Sequence, residues 1–240
     1  MPKPTTFLHR AYGPLKKHLP PGLSAPLRRL TTALVAPLRF AWQSGHFRSS
    51  LAARAMSSEG EPLPWYTYPC IRFLEQRSFA GKRVLEFGGG QSSLWWAARA
   101  DGVTVFEGDR GWLAELERMV PDNVAVHFAS AVDAGDCRAA VEGELAARGE
   151  DGAKFDIIVI DGLVREAVVP IALERLADDG AIIVDNAEGY GFRELFLGSG
   201  LNRVDFHGMV PGVVLEHTTA IYYPEGSFLF RADQPFNDRR

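Results

Sequence analysis

The chain of 240 residues is poor in cysteine, with Cys70 and Cys137 far apart and in no zinc-like spacing. That excludes a disulfide framework and a thiolate zinc centre, and leaves buried or idle thiols in a reducing compartment, hence an expected cytoplasmic protein. Long apolar runs are missing too. No stretch reaches the ~18 uninterrupted apolar residues of a membrane span. There is no Gly-Lys-Ser/Thr ending to any glycine-rich turn, which excludes a P-loop. Acid is absent from the first 58 residues, which hold nine Lys or Arg, whereas the remainder carries seventeen basic and thirty acidic residues. The net charge of -4 hides this split. A basic segment attracts polyanions. Nucleic acid is nevertheless not expected as a partner, because the segment lacks interleaved aromatics and the main body is acidic.

Residues 1–58 therefore read as an extension and residues 59–240 as the main domain. Six prolines within residues 1–26 predict a tail or strap without a regular element. Residues 27–56 look helical: Leu27, Leu30, Leu34 and Leu38 share one face, flanked by Arg28, Arg29 and Arg39, and Pro37 is expected to kink or divide the run. Three readings stay open. The leucine stripe packs on the main domain, or the helix touches an anionic membrane peripherally, or Arg28-Arg29 opens an export signal. Thr31, Thr32 and Pro37 interrupt the apolar run that an export signal needs. The stripe and the antiparallel edge of the sheet are both candidate surfaces for a homodimer.

The main domain is organised around residues 84–93, V-L-E-F-G-G-G-Q-S-S. An apolar strand, a glycine turn and a helical run present backbone N–H groups to a nucleotide-like ligand. Glu107 follows twenty-one residues after Glu86, at the end of a second apolar run, where a carboxylate reaches ribose hydroxyls. The residues point to an adenosine-containing cofactor. A dinucleotide fingerprint is incomplete, because Ser93 stands where its third glycine belongs.

Strand and helix alternate thereafter. Strands are predicted at residues 83–87, 103–107, 124–128, 155–161 and 181–184, with helices at 70–76, 92–100, 111–119, 136–148, 167–176 and 192–196. The run F-D-I-I-V-I-D from 155 to 161 has the apolar continuity of a central parallel strand. Residues 203–210 and 218–223 follow each other without a helix, so they form an antiparallel pair at one edge. Residues 228–231 are a candidate for a further short strand. The fold class is α/β, a doubly wound, mostly parallel sheet of about seven strands with a C-terminal antiparallel pair and an N-terminal helical extension.

Glu86, the turn Gly88-Gly89-Gly90, Glu107 and the antiparallel tail together resemble class I S-adenosylmethionine methyltransferases, over residues 80–230. The resemblance implies a Rossmann-like methyltransferase fold with S-adenosyl-L-methionine as cofactor. It implies direct methyl transfer to a small-molecule acceptor, expected to be a hydroxyl. Cofactor contacts are then expected from Glu86, Gly88, Gly89, Gly90, Ser92, Glu107 and Asp161, with Ser130 and Ala131 at the adenine edge and Asp133 beside them as either a contact or a helix cap. Asp161, Asp185 and Asn186 end adjacent strands and resemble the magnesium ligands of the catechol O-methyltransferase-like group. Three such oxygens suit a hard divalent ion. In the rival reading Asp161 is the general base and Asn186 caps the fifth strand. Arg165-Glu166 departs from that group's lysine-containing segment.

The segment Pro62-Leu63-Pro64-Trp65-Tyr66-Thr67-Tyr68-Pro69 is stiff and aromatic. Trp65, Tyr66 and Tyr68 either plug the end of the sheet or wall the acceptor pocket. His207 and His217 fall on the antiparallel pair and its loop, where either can face the acceptor. Two competing functions stay open: a scaffold keeping a degenerate cofactor fold, and a nucleotide-dependent oxidoreductase.

Overall fold

The computed structural model describes residues 21–130, 134–150, 152–162, 164–231 and 233. Contacts divide the chain into two units at Gln43/Ser44. Among the described residues the first unit is one helix, α1 (Pro21–Gln43). It takes in Pro21 and Pro26 of the proline-rich stretch expected to lack a regular element; at Pro21, in the first turn, the missing N–H costs nothing. Pro37 does not divide it. The one backbone bond that Pro37 removes leaves the carbonyl of an exposed residue, Ala33, open to water. The chain leaves the helix at Ser44-Gly45 instead, with Gly45 at φ +80°. A Cβ there would meet Met56 O at 2.3 Å, so glycine is required.

The second unit opens with α2 (His46–Ala52) and α3 (Tyr68–Leu74). It continues through β1 (Arg83–Phe87), α4 (Gln91–Ala97), β2 (Gly102–Glu107), α5 (Arg110–Met119), β3 (Val124–Phe128) and α6 (Ala134–Ala147). Then come β4 (Phe155–Ile160), α7 (Arg165–Arg175), β5 (Leu176–Val184), α8 (Phe192–Leu195), β6 (Asn202–Met209) and β7 (Glu216–Tyr223). The seven strands form one sheet in the order β3-β2-β1-β4-β5-β7-β6. β1 to β5 are parallel, while β7 runs antiparallel to both β5 and β6. This is a Rossmann-like methyltransferase fold with an N-terminal helical extension, as expected.

Side-chain alternation splits the core in two. Val84 joins Val105, Val159 and Ile183 on one face, under α3, α4 and α5 with Ile71, Trp95, Trp96 and Leu116. Leu85 and Phe87 join Phe106, Ile158 and Val184 on the other, under α6, α7 and α8 with Val141, Val169 and Phe192. β4 is buried on both faces, which is why it reads as a continuous apolar run. β5 is longer than predicted. Leu176 pairs with Phe155 and Ala181 with Ile157, so residues 177–180 bulge out between them. Residues 228–231 do not add a strand: Phe228–Phe230 is a 3-10 turn closed by Phe230 N donating to Ser227 O (3.1 Å). Phe228 and Leu229 are buried there, and Phe228 meets Phe79 edge-on. Cys70 and Cys137 are free and buried.

Candidate active site

Ladder hydrogen bonds continue one residue past the strand ends and so place the first residue beyond each strand. Gly88 N donates to Phe106 O (2.8 Å), Asp161 N to Phe87 O (2.9 Å) and Asp185 N to Ile160 O (3.1 Å). The polar residues after β1, β4 and β5 therefore sit in a row at the carboxyl edge, where ligands of such sheets bind. A cavity of about 880 Å³ opens over that row. It has room for a nucleoside-sized cofactor and a second small molecule together.

At the β1–β2 end the cavity is built from backbone. Gly88 has φ +90°, and a Cβ on it would lie 2.5 Å from the Cα and N of Gly162. The turns after β1 and β4 thus touch through two glycines. Glu107 accepts from Gly89 N through Oε2 (3.1 Å) and from Asp109 N through Oε1 (2.8 Å). Each oxygen keeps a lone pair for a hydroxyl donor, and the carboxylate faces the cavity beside Gly88, Gly89, Gly90 and Ser92. Trp112 is a wall residue that no sequence pattern announces: its Nε1 donates to Gly89 O (2.7 Å). Asp109 places it, by capping α5 through a bond from Trp112 N (2.8 Å).

Glu86 is not on that wall. It faces the Val84 side of the sheet, fully buried beneath the turn, and accepts from the Ser93 hydroxyl, which in turn accepts from Gly90 N (3.0 Å). Glu86 Oε1 has no hydrogen-bond partner among the described residues. Burial lifts this carboxyl to about 8, against the lowering pull of the serine hydroxyls beside it. Glu86 thus positions the turn from below. Ser130 lines a crevice of about 20 Å³ that shares Gly88 and Glu107 with the main cavity. Ala131 and Asp133 lie outside the described residues.

At the β4–β5 end the cavity is built around one cation. Arg165 Nη2 donates to Asp161 Oδ1 (2.8 Å) and Asp161 O (3.1 Å), and Nη1 to Asn186 Oδ1 (2.8 Å) and Asp185 O (2.7 Å). Its Nε donates to Gly162 O (3.0 Å). Asp185 Oδ1 accepts from Thr219 Oγ1 (3.1 Å) on β7. Burial pushes the Asp161 carboxyl up and the neighbouring Asp185 adds to the rise, while Arg165 opposes both. Asp161, Asp185 and Asn186 do come together as expected, yet they do not fit magnesium. The guanidinium takes the position in the oxygen cluster that a divalent ion would need, and it already satisfies the inward oxygens of Asp161 and Asn186. Among the described residues, no group of three His, Cys, Asp or Glu side chains is placed to hold a metal.

The far wall separates the expected acceptor residues. Trp65 lines the cavity, tied to the β6–β7 turn through Nε1 and Pro211 O (3.0 Å). Tyr66 and Tyr68 do not reach it. Tyr66 is buried in the core and accepts from Trp96 Nε1 (3.2 Å), and Tyr68 is buried against His46. Thr67 explains the difference, since its N and Oγ1 bond to Thr219 and to Phe206 O and so turn its neighbours inward. His207 lies in a separate surface hollow, bonded to Thr218 Oγ1 (2.8 Å). His217 is off the cavity, held by Glu188 (2.8 Å), with Asn186 Nδ2 3.3 Å away.

Backbone strain marks the same place. Among the described residues, the non-glycine positions with positive φ are Ala53, Val164, Asn186 and Tyr190, and all four line the cavity. Asn186 tolerates left-handed backbone, but it is unfavourable for the other three, above all for β-branched Val164, and persists where packing over-determines it. Tyr190 also sets its ring 5.0 Å from the Arg165 guanidinium.

No family model matches the chain, and no curated protein matches it. Solved structures do. A TehB-like SAM-dependent methyltransferase from Corynebacterium glutamicum is 17% identical, covering 78% of this chain and 99% of that one at a TM-score of 0.48. Precorrin-6y C5,15-methyltransferase from Geobacter metallireducens is 16% identical, over 65% and 87%, at 0.47. An rRNA methylase from Streptococcus thermophilus is 12% identical, over 64% and 92%, at 0.42. At these identities the likeness is one of fold alone.

Proposed function

We propose that the protein transfers a methyl group from S-adenosyl-L-methionine to a small-molecule acceptor, at a hydroxyl oxygen, by direct displacement. The observation that carries this reading is the charge of the cavity. Glu107, Glu115, Asp161 and Asp185 line it against Arg54 and Arg165, and Arg165 is committed to the Asp161 cluster. Such a wall favours an ammonium and a sulfonium and repels a pyrophosphate, which disfavours a dinucleotide oxidoreductase.

The residues fit the cofactor. Gly88, Gly89, Gly90 and Ser92 would cradle it, Glu107 would accept from ribose hydroxyls, and Trp112 would flank it. Bound there, the cofactor supplies an electrophilic methyl group. The chain supplies alignment and a place for a proton. Asp161, whose carboxyl is raised toward working pH, takes the acceptor's hydroxyl proton, and Arg165 holds that carboxylate in one orientation. The acceptor rests against Trp65, Tyr190, Val210 and Val213, an apolar and aromatic wall.

Isothermal titration with S-adenosylmethionine, S-adenosylhomocysteine and NAD tests the reading. The two sulfur compounds should bind in the micromolar range, and Glu107→Ala should weaken both at least tenfold. Binding of NAD alone, or of none of the three, would end it.

A further inference from the structure

Each of the two units, taken by itself, carries an exposed apolar patch beside basic side chains. In α1, Leu30, Leu34 and Leu38 are 57%, 60% and 60% exposed, and Trp42, four residues on, is 73% exposed. Steps of four keep them on one stripe. Arg28 and Arg39 flank that stripe on its Trp42 side, and Arg29 falls on the opposite side. The hydroxyls of Thr31 and Thr32 are turned back onto the carbonyls of Leu27 and Arg28, so they do not wet the stripe with unpaired polar groups. No acid occurs in the first 58 residues, so nothing near α1 in sequence offsets the arginines.

The second patch lies on the main unit. Leu51 of α2 is 90% exposed, and Val214 and Leu215 in the β6–β7 turn are 84% and 65% exposed. These segments adjoin. Gly212 N approaches His46 Nδ1 (3.3 Å), and a Cβ on Gly212 would lie 2.8 Å from Ser49 C. Ala52, Ala53 and Val213, the immediate neighbours of these residues, line the cavity. The apolar rim therefore borders the cavity mouth, with Arg48 and Arg54 exposed alongside.

We propose that the protein docks reversibly on an anionic lipid surface through the leucine–tryptophan face of α1, and that the Leu51/Val214/Leu215 rim of the second unit makes its own, independent contact with the lipid. An apolar stripe flanked by arginines, with an exposed tryptophan at its end, suits the boundary between headgroups and acyl chains. Among the described residues no helix is long and apolar enough to cross a membrane, and the contact proposed is a peripheral one. The positive extension complements anionic headgroups. One consequence depends on the methyl-transfer reading: the cavity mouth then opens at the interface, where an acceptor with an apolar body is concentrated. Docking itself does not depend on it.

The test is co-sedimentation of the full chain with vesicles of phosphatidylcholine alone and of phosphatidylcholine and phosphatidylglycerol in equal parts. Binding to the mixed vesicles should be at least tenfold tighter and should weaken as salt rises. Arg28→Gln/Arg29→Gln/Arg39→Gln should lose about a hundredfold, from three charges at the surface. Leu34→Glu/Leu38→Glu should lose at least tenfold, and Leu51→Ser/Val214→Ser/Leu215→Ser a smaller, measurable factor. These sites are exposed, so the melting temperature should stay that of the wild type. Equal binding to both vesicles, or leucine variants that bind as well as wild type, would overturn the proposal. So would a dimer in light scattering that Leu34→Glu/Leu38→Glu dissolves while vesicles capture neither form. Titration of S-adenosylhomocysteine into the same samples separates the two ideas: docking without cofactor binding leaves this inference standing and removes the enzymatic one.

Discussion

The two ends of the cavity do the same job with different materials. At β1–β2 the wall is backbone, with Gly88 packed on Gly162 and the N–H groups of Gly89 and Asp109 aimed at Glu107. At β4–β5 it is side chain, with one guanidinium holding Asp161, Gly162, Asp185 and Asn186. A backbone wall tolerates no added atom but is indifferent to charge. A side-chain wall tolerates changes of shape but depends on charge balance. Gly88→Ala is the harshest trial of that difference. Its methyl would stand 2.5 Å from backbone that cannot rotate away, at φ +90°. The expected loss is on the order of 4 kcal/mol from strain and overlap together. Urea denaturation measures it, and a loss under about 1 kcal/mol would mean that the glycine contact is soft.

Glu86 lies under the backbone end yet titrates as a side chain. Its carboxyl is lifted from 4.5 to about 8 in the fold. Below the unfolded value both states keep the proton and the fold has its full stability. As pH rises the unfolded chain ionises first, so stability falls between about pH 4 and pH 8 and levels off above that. By pH 7 this one group removes on the order of 3 kcal/mol. Glu86→Gln keeps an oxygen for Ser93 to donate to and removes the titration. The difference between variant and wild type should therefore grow from pH 4 to pH 8, with the variant the more stable at pH 7. Parallel pH profiles would show instead that Glu86 is ionised in the folded protein.

The same contrast explains what was legible in the chain alone. Residues 84–93 announce themselves because a backbone-built turn can be made by few residue types, and β4 does so because burial on both faces forces continuous apolar sequence. The topology was readable from the missing helix between β6 and β7. Arg165 was visible in sequence only as a departure from a lysine-containing segment, since its partners come from the ends of two strands and nothing local says that it folds inward. Trp112 and Tyr190 were invisible for the same reason: their roles depend on where the first turn of α5 and the loop after β5 are set down. Tyr66 and Tyr68 were legible as a rigid aromatic loop, but Thr67 decides which way the rings face, through bonds to residues ~140 or more positions away. Pro37 was read by local propensity as kinking or dividing the helix; it does not divide it, and the carbonyl it leaves without a donor lies on exposed backbone.

The smallest expected effect is at the side-chain end. Arg165→Met keeps length and apolar contact but removes all five donated bonds and the positive charge. Asp161 and Asp185 then face each other without a counter-charge. Cutting one partner from a fully buried ion pair costs ~3–5 kcal/mol. Here the side chains are 11% and 20% exposed, so water recovers part of that and about 2 kcal/mol is expected. The loss should depend on pH. Arg165 holds the Asp185 carboxyl down at about 6 against its burial; without it that carboxyl rises further, so the variant goes on losing stability above pH 6, where the wild type's loss through Asp185 has levelled off. Denaturation midpoints of variant and wild type should thus lie closer together at pH 5 than at pH 8. Millimolar magnesium adds a second readout. If the guanidinium stands where a divalent ion would go, magnesium should raise the melting temperature of the variant and leave the wild type unmoved. A wild type that magnesium stabilises would mean that Arg165 yields its place to the ion, and that this end of the cavity is not a cation-filled wall but a metal site.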